Sequence, residues 1–401
     1  MTNSKDYQQR ANKVFVPVFE NKDITLEHGK GCYITDVEGK TYLDCAAGIA
    51  VASLGHGHTG YTEAIHEQLS KFIIAPGSFP NVPKIECAEL LAKNSFADHV
   101  FFCNSGTEAV EGALKLAHKW GHTQKNPEAK EIIAFHGGFH GRSHGAYSCT
   151  YKSLSQEEFG PYMPGVHFAE YNDLASVEAI TKNNKNICGI IVEAIQGESG
   201  VIPAELEFLQ GLRKLCDEEG ILLIIDEIQT GMGRTGKLFA YEHYGIEPDI
   251  MTLAKGLGGG FPVGAFLARK KHSGILKAGD HGSTYGGNAL AAQIAHTVSK
   301  QILESGFLEH IEKTGAYLKQ GLEELKAETN CIEDIRGKGL MIGIDTAFDI
   351  KAVLTTLLDE GLMATQAGAK TLRLTPPLII TQDEADEALD KIGHVLRKGD
   401  L

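Results

Sequence analysis

HVFFCNSGTEAVEGALKLAHKW (residues 99–120) joins a short apolar run to a segment in which apolar residues recur every three or four positions. The first part is typical of a buried β-strand, and the second is typical of an amphipathic helix that begins near Gly106. Ser105 and Glu108 stand at the spacing of a capping box, which ties a helix start to the loop before it. The stretch therefore predicts a strand, a tight polar turn and a helix in succession.

The same alternation of short apolar runs and longer amphipathic segments continues from about residue 95 to residue 270. We predict strands at 99–104, 131–136, 187–194, 221–227, 249–255 and 265–269, and helices between them such as 106–120 and 206–220. Strands that alternate with helices are typical of βαβ units. The sequence therefore predicts an α/β fold with a mainly parallel central sheet.

The two ends of the chain have a different character. Long helical patterns at 289–306 and 306–328 lead into strand-like pieces at 336–346 and 370–380, which is typical of a smaller α+β domain. The first fifty residues are irregular apart from a hairpin-like stretch at 32–48. We therefore expect an N-terminal segment (1–55) that packs with the small domain, a large ligand-binding domain (56–295) and a small C-terminal α+β domain (296–401).

Composition excludes several classes of function. The net charge is −14, with 42% hydrophobic and 22% charged residues, and no cluster of Lys and Arg suits a nucleic-acid surface. The longest apolar runs, such as 221–225, are too short to cross a membrane, and the N-terminus lacks the apolar core of a signal peptide. The eight cysteines form no CxxC pair. We expect a cytoplasmic globular protein with reduced thiols and a small-molecule partner.

Polar and catalytic residue types follow five of the predicted strands. The five sets are NSGTEA (104–109), HGGFHGR (136–142), EAIQGE (193–198), DEIQ (226–229) and Lys255. Ligands of α/β proteins bind outside the carboxyl ends of the strands, where these residues would meet. The pattern predicts a functional site at that edge of the sheet.

Two motifs suggest other functions but lack the required context. GMGRTG (231–236) matches the glycine pattern of dinucleotide-binding proteins, yet no strand runs straight into its first glycine, and the segment that follows is too short for a crossover helix. A nicotinamide enzyme is the alternative from another class. Histidines at 136, 140 and 144 have the spacing of metal ligands on a helix, but three glycines in that segment disfavour a helix. We therefore predict no metal site.

Lys255 lies among small and apolar residues in TLAKGLGGGFPVG (252–264). Burial lowers the pKa of a lysine, and the neutral amine is the nucleophile that forms a Schiff base with an aldehyde. Pyridoxal phosphate has such an aldehyde, and it needs an anion site and an acid facing its pyridine nitrogen. SGT (105–107) and Asp226 could supply these, although SGTEA taken alone fits a plain capping box equally well.

Eight motifs together identify a family. They are GIAVASLGH (48–56), FCNSGTEAVEGALKLA (102–117), IIAFHGGFHGRS (132–143), VEAIQGESGV (192–201), IDEIQTGMGRTGKLFAYEHYGIEPDI (225–250), LAKGLGGGFPVGA (253–265), HGSTYGGNALA (281–291) and IRGKGLMIG (335–343). Nearly the whole chain resembles the class III aminotransferases, which are pyridoxal-phosphate enzymes of fold type I. Within that family it most resembles the acetylornithine aminotransferases of arginine biosynthesis. The resemblance replaces the nicotinamide interpretation of GMGRTG.

The resemblance implies a role for each matching residue at the cofactor. Lys255 would carry the Schiff base and then move a proton, and Asp226 would pair with the pyridine nitrogen. Gln229 would contact the phenolic oxygen, and Phe139 would stack on the ring. The phosphate would be held by Ser105, Gly106 and Thr107 and, from the neighbouring subunit of a homodimer with shared active sites, by Thr284.

The resemblance also implies how substrates are bound. Arg142 would bind the distal carboxylate, while Glu198 would cover Arg373 for the amino donor and release it for 2-oxoglutarate. The implied reaction moves the terminal amino group of N-acetylornithine to 2-oxoglutarate.

Several alternatives stay open. Ornithine, 4-aminobutyrate, succinylornithine and succinyl-diaminopimelate are rival donors, because one arginine and an apolar channel accept several chain lengths. An aminomutase shares the lysine and the fold, and a cofactor-binding module without activity is the remotest alternative. The stretch APGSFPNVP (75–83) departs from the family pattern where the substrate entrance is built, so the resemblance does not fix the donor.

Overall fold

A seven-stranded sheet forms the centre of the protein in the computed structural model, which describes residues 3–20 and 22–398. The strands of the described residues are β1 Leu26–Lys30, β2 Tyr33–Asp36, β3 Thr41–Asp44, β4 His99–Cys103, β5 Glu131–Phe135, β6 Val166–Ala169, β7 Ile187–Glu193, β8 Ile195–Gln196, β9 Ile202–Pro203, β10 Leu222–Asp226, β11 Ile250–Leu253, β12 Gly264–Ala268, β13 Ile332–Lys338, β14 Met341–Thr346, β15 Leu362–Met363, β16 Thr365–Ala367 and β17 Thr371–Leu374.

Helices pack around the seven-stranded sheet, and others lie in the N-terminal and C-terminal parts of the chain. They are α1 Ser4–Val14, α2 Ala47–Ala50, α3 Thr59–Leu69, α4 Val82–Lys93, α5 Gly106–Trp120, α6 His144–Ser148, α7 Leu174–Asn183, α8 Leu206–Glu219, α9 Lys270–Ser273, α10 Ala289–Ile302, α11 Phe307–Thr329, α12 Ile350–Asp359 and α13 Gln382–Lys398.

The strand order in the central sheet is β4-β12-β11-β10-β7-β5-β6. All neighbours are parallel except β12, which is antiparallel to both β11 and β4. The predicted α/β class with a mainly parallel sheet is confirmed. The six predicted strands all form, and the sheet gains β6, which sequence analysis missed because this short, half-buried edge strand has no continuous apolar run.

Burial explains why the central strands have uninterrupted apolar sequences. Every residue of β7 and β10 is buried, because helices cover both faces of a parallel sheet. Helix α5 packs its apolar stripe, which includes Val110 and Leu114, into the core. Helix α8 ends at Gly220, whose φ of 61° is the left-handed conformation that glycine adopts most readily. These elements hold the carboxyl ends of the strands in a fixed array.

Two four-stranded sheets accompany the central one, and β8 and β9 pair in a two-stranded sheet. The N-terminal sheet has the order β1-β2-β3-β15, so a strand from near the C-terminus pairs with the N-terminal hairpin. The second has the order β13-β14-β17-β16 and is antiparallel throughout. The domain boundaries at residues 55 and 295 stay a prediction.

All eight cysteines are free thiols, and seven of them are buried. Among residues 3–20 and 22–398, none of the helices has both the length and the apolar composition that crossing a membrane requires. Within the same residues, no three His, Cys, Asp or Glu side chains are grouped as the ligands of a metal ion would be.

Candidate active site

A cavity of about 330 Å³, here called the main cavity, is lined by residues that follow β4, β5, β7, β10 and β11. Seven of the residues expected at the site line it, namely Ser105, Gly106, Thr107, Phe139, Asp226, Gln229 and Lys255. The strand ends therefore bring together side chains that are up to 150 positions apart in the sequence (105 to 255).

Lys255 directly follows β11 and has an unusual backbone conformation. Its φ is 43°, in the left-handed region that residues with a side chain rarely adopt, and such conformations are often found at functional sites. Burial lowers the pKa of Lys255, even though the nearby carboxylate of Glu198 acts to raise it. The amine is therefore easier to deprotonate than an ordinary lysine, which favours nucleophilic chemistry.

Asp226 ends β10 and is held by three hydrogen bonds. One carboxylate oxygen accepts the N–H of Ile228 (3.1 Å) and the hydroxyl of Thr252 (3.0 Å). The other lies 2.8 Å from Nδ1 of His140, and both of these side chains are at least 97% buried. The contacts fix the carboxylate in an orientation toward the cavity that it lines. A buried carboxylate in such a place stabilises a positive charge opposite it.

Sequence analysis included His140 and Glu193 in the stretches expected at the site but gave neither residue a role. Glu193 ends β7, lines the main cavity and accepts the backbone N–H groups of Phe139 (2.9 Å) and Gly197 (3.1 Å). Burial raises the pKa of Glu193 to about 7. Glu193 stands at the end of β7, and His140 lies in the HGGFHGR stretch. Their hydrogen-bond partners come from other parts of the chain, so only the fold reveals these contacts.

The start of α5 differs in one respect from the predicted capping box. The hydroxyl of Ser105 accepts the N–H of Glu108 (3.3 Å), as expected. The second bond of a capping box does not form, because the Glu108 carboxylate accepts the N–H of Asn104 and not that of Ser105 (2.6 Å). The first N–H groups of a helix have no acceptor within that helix. Those of Gly106 and Thr107 are at the cavity wall, where an anion could accept them.

Glu198 and Arg373 form an ion pair beside the main cavity. The Arg373 guanidinium donates to Glu198 (2.7 Å) and to the Gly197 carbonyl (2.8 Å), and its Nε donates to Thr365 (3.1 Å). Gln229, which lines the cavity, donates to the same Glu198 oxygen (3.2 Å). Burial acts to raise the pKa of Glu198, but the charges of Arg373 and Lys255, together with the hydrogen bonds from Arg373 and Gln229, outweigh burial and lower the pKa.

Like Glu198 and Arg373, two further expected residues do not line the main cavity. Arg142 is exposed, and its guanidinium carbon lies 5.6 Å from the centre of the Phe139 ring, at the edge of a second cavity. Thr284 is also exposed, in the turn after Ser283, whose hydroxyl accepts the side-chain amide of Asn104 (3.2 Å). The turn therefore lies next to the end of β4, although Thr284 lines neither cavity.

Residues of the dinucleotide-like motif and of the three-histidine stretch, which sequence analysis set aside, bond to other residues of the protein. Arg234 of GMGRTG is buried and donates to the carbonyl groups of Leu340 (3.0 Å) and Pro376 (2.5 Å). Asp249, the residue that a nicotinamide enzyme would use for ribose, bonds instead to Arg213 (2.8 Å). His136 and His140 have separate partners, since His136 lies 2.8 Å from Glu170.

The residues of the main cavity fit pyridoxal phosphate. They include an amine of lowered pKa for its aldehyde, a buried hydrogen-bonded carboxylate for its ring nitrogen and an aromatic side chain for its ring face. A helix N-terminus with a serine and a threonine suits its phosphate. These are the kinds of group that bind and tune this cofactor.

Comparisons with known proteins agree with this chemistry. Residues 17–396 match the family described as Aminotransferase class-III. The acetylornithine aminotransferase of Caldanaerobacter subterraneus is 43% identical over 386 residues, which are 96% of this chain and 97% of the relative. That of Bacillus subtilis is 44% identical over 375 residues, covering 93% and 95% of the two chains.

Solved structures give the same result. An ornithine aminotransferase from Toxoplasma gondii, described with partial occupancy of pyridoxal phosphate at its active site, has a TM-score of 0.95 and 30% identity and covers 99% of this chain and 95% of its own. An acetylornithine aminotransferase from Elizabethkingia anophelis has a TM-score of 0.89 and 32% identity, and the match covers 99% and 100% of the two chains.

Proposed function

Because the chain belongs to the class III aminotransferases, whose cofactor is pyridoxal phosphate, we propose that it moves the terminal amino group of N-acetylornithine to 2-oxoglutarate. The products are N-acetylglutamate 5-semialdehyde and glutamate. The family establishes an amino donor and a keto acid as substrates, and the identity of both is our proposal.

The contact between Glu198 and Arg373 is the observation that supports this reaction best. It covers one arginine with a carboxylate, while Arg142 stands apart and exposed. A donor that reacts through its terminal amine brings one carboxylate, which Arg142 binds. 2-Oxoglutarate brings two, so its α-carboxylate displaces Glu198 from Arg373 in a charge-assisted contact. One site thus serves two substrates of different charge.

Each residue of the main cavity has a proposed task. When bound, pyridoxal phosphate supplies an electron-accepting ring that stabilises the charge released at the substrate carbon. Lys255 would take the proton from that substrate carbon and deliver it to the aldehyde carbon of the cofactor, which its lowered pKa permits. Asp226 keeps the ring nitrogen protonated, with His140 orienting the carboxylate. Phe139 covers the ring face, and Gln229 faces the phenolic oxygen.

The phosphate is bound from two subunits in this proposal. Ser105, Gly106 and Thr107 hold it from one subunit, and Thr284 of a second copy completes the site. Two features support a homodimer. Thr284 is exposed in a glycine-flanked turn. An exposed apolar patch of Phe72, Ile73 and Ile74 adjoins it through the bond from Leu290 to the Ile73 carbonyl (3.4 Å).

Subunit mixing tests this shared site. Thr284→Asp places like charge beside the phosphate, and Lys255→Ala removes the amine, so each homodimer has two damaged sites. A hybrid has one site with both faults and one site with neither, so activity rises on mixing. Hybrids that form but stay as inactive as their parents would contradict the role of Thr284.

Ornithine is the second candidate donor, because several of the most similar structures are ornithine aminotransferases. The other donors and the aminomutase have no such observation in their favour. The cytoplasmic location stays a prediction, since relatives from Dictyostelium discoideum and Alnus glutinosa are named mitochondrial.

A donor panel tests the proposed function. Purified holoenzyme is given 2-oxoglutarate with N-acetylornithine, ornithine, 4-aminobutyrate, succinylornithine or succinyl-diaminopimelate, and the glutamate formed is measured. We expect the highest kcat/KM with N-acetylornithine and no product without 2-oxoglutarate. A product that forms without 2-oxoglutarate would indicate an aminomutase, and a clear preference for ornithine would transfer the proposal to that donor.

A further inference from the structure

Glu193 is a carboxylate that lines the main cavity and is buried. Burying a charged group is costly unless hydrogen bonds replace the lost water, so the partners of Glu193 indicate what it does. It lies between two segments that the site uses. The ring segment (136–140) carries Phe139, and the gate segment (193–199) carries Glu198.

The two oxygens of Glu193 have one backbone donor each. One oxygen accepts the N–H of Phe139 (2.9 Å), and the other accepts that of Gly197 (3.1 Å). A carboxylate has two acceptor oxygens, whereas an amide has one and donates from its NH₂ group. Glutamine would therefore satisfy one N–H and turn an NH₂ group toward the other. Burial raises the pKa of Glu193, and the two N–H groups act against burial by stabilising the ionised form. The position thus suits a carboxylate that joins the two segments.

Two other side chains of the gate segment also bond to the ring segment. Gln196 donates to the carbonyl of His136 (2.7 Å), and the hydroxyl of Ser199 donates to the carbonyl of Gly137. Gly137 has a φ of 78°, and a Cβ there would come within 2.6 Å of the Gln196 side-chain oxygen, so glycine permits this close approach. These bonds hold the edges of the two segments together. They provide a comparison for Glu193, whose contacts lie at the site itself.

Gly197 connects Glu193 to the arginine of the gate. The guanidinium of Arg373 donates to Glu198 (2.7 Å) and to the carbonyl of Gly197 (2.8 Å). It also donates to the side-chain oxygen of Gln229 (3.2 Å). When a keto acid displaces Glu198, the guanidinium loses one acceptor and depends more on those that remain. Gly197 is one of them, and its own N–H is held by Glu193.

The two substrates depend on this chain of contacts to different degrees. In the proposed function the amino donor leaves Glu198 on Arg373, so its binding does not use the freed guanidinium. The keto acid places its α-carboxylate there, and a guanidinium that is not held in place binds it less well. Loss of Glu193 should therefore weaken a ligand with two carboxylates more than a ligand with one.

We propose that Glu193 is a positioning residue with two tasks: it holds the backbone of Phe139 at the ring face and, through Gly197, holds Arg373 in place for the keto acid. The inference rests on the proposed function for the roles of Phe139 and Arg373. It deepens that function by naming a residue that sets keto-acid affinity without touching the keto acid. One carboxylate thus connects the cofactor ring to the gate.

Two unreactive ligands test this role without relying on turnover. Glutarate and pentanoate have the same five-carbon chain, but glutarate has two carboxylates, like 2-oxoglutarate, and pentanoate has one. Their affinities for the holoenzyme are measured by calorimetry. Wild-type protein is expected to bind glutarate at least about fivefold more tightly, because its second carboxylate reaches Arg373. Affinity of the cofactor-free protein for pyridoxal phosphate, measured by absorbance titration, reports on Phe139.

Variants at Glu193 are compared with a matched control at Gln196. Glu193→Met removes both acceptors, so it is expected to weaken glutarate and pyridoxal phosphate about fivefold each and to leave pentanoate unchanged. Gln196→Met also removes a bond between the two segments, so it should lower Tm but change all three affinities less than about twofold. Glu193→Met protein with wild-type affinities would overturn the role. Equal losses in Gln196→Met would also overturn it, because they would show a general loss of structure.

Glu193→Gln keeps the size of the side chain and one acceptor, and it carries the test should Glu193→Met fail to fold. Because the amide can accept one N–H at most, this variant must lose either the preference for glutarate or about fivefold in cofactor affinity. Wild-type values of both would show that a carboxylate is not required and would overturn the role.

Kinetics separate this inference from the proposed function. Glu193→Met is expected to raise KM for 2-oxoglutarate about fivefold and KM for N-acetylornithine less than about twofold. If the wild type makes glutamate from these substrates but the variant raises both KM values equally, or lowers kcat alone, the role of Glu193 is wrong and the function stands. If the wild type makes no glutamate from any donor, the proposed function fails and the role of Glu193 fails with it.

Discussion

The two ends of the active site are built differently. At the inner end, Asp226 is 3% exposed and has three hydrogen-bond partners from separate elements. At the outer end, Arg142 is exposed, and the Glu198 side chain that covers Arg373 is one-third exposed. The inner groups follow strands of one sheet, whereas Arg373 comes from the C-terminal sheet. The fixed end suits a cofactor that stays, and the adaptable end suits two substrates that alternate.

The difference has an energetic consequence. Removing a buried charged group leaves its partners unpaired in a medium of low dielectric, which costs several times more than losing a contact that water replaces. We therefore expect substitutions at the inner end to affect every reaction of the enzyme. Substitutions at the outer end should affect substrate binding, in one half-reaction for Arg373 and in both for Arg142.

The largest effect is expected for Lys255→Ala. The variant loses the amine that moves the proton in the proposed function, so kcat should fall about a thousandfold or more with every donor. Steady-state assays with N-acetylornithine and with ornithine check this. Lys255→Arg is the matched control, because it keeps a positive charge but not a nucleophile. Turnover near the wild-type rate in Lys255→Ala would contradict the role of Lys255 at the inner end of the site.

Arg373→Ala tests the role of the outer end of the site. Loss of a charge-assisted contact should slow the return transfer to 2-oxoglutarate by roughly 30- to 100-fold and leave the donor half-reaction nearly unchanged. Arg142→Ala should slow both, since either substrate presents a distal carboxylate to it. Single-turnover absorbance measurements separate the halves. Equal damage to both by Arg373→Ala would refute the role of Glu198 as a cover.

A third prediction concerns the link between the two ends. Glu111 accepts the Ser143 hydroxyl and the N–H groups of Gly145 (2.9 Å) and Ala146 (3.2 Å), and so it holds the loop that presents Arg142. Glu111→Gln should raise KM for the donor about tenfold with little change in kcat, because only binding depends on the loop. Ser143→Ala should act in the same direction. A fall in kcat with unchanged KM would place Glu111 in the chemistry instead.

The smallest effect is expected in the stability of the cofactor-free protein. The pKa of Lys255 is lower in the folded protein than its ordinary value of 10.5. Between the two pKa values the unfolded chain therefore binds more protons at this group than the folded protein does. In that pH range the group makes the free energy of unfolding rise with pH. Lys255→Met should therefore unfold at a slightly higher Tm than wild type near pH 7, and the gap should close toward pH 10. Thermal melts across this range check it. A difference in Tm between the two proteins that widens with pH would show that folding raises the pKa of Lys255.

The sequence revealed the inner end better than the outer one. Lys255 and Asp226 follow continuous apolar runs, so their positions at strand ends are local properties of the sequence. The contacts of His140 and Glu193 were not predicted, because they depend on bonds between segments that are far apart in the chain. β12 was expected as a strand, but its antiparallel direction depends on the turn after Lys255. The second cavity depends on how residues 142–162 fold back beside Phe139, which no local pattern encodes.

The most direct test of the account is to locate the covalently bound cofactor. The holoenzyme is reduced with borohydride, digested and analysed by peptide mass spectrometry. The account predicts a pyridoxyl phosphate adduct on Lys255 and its absence in Lys255→Ala. An adduct on any other lysine of the wild-type protein, or none at all in a protein that contains the cofactor, would contradict it.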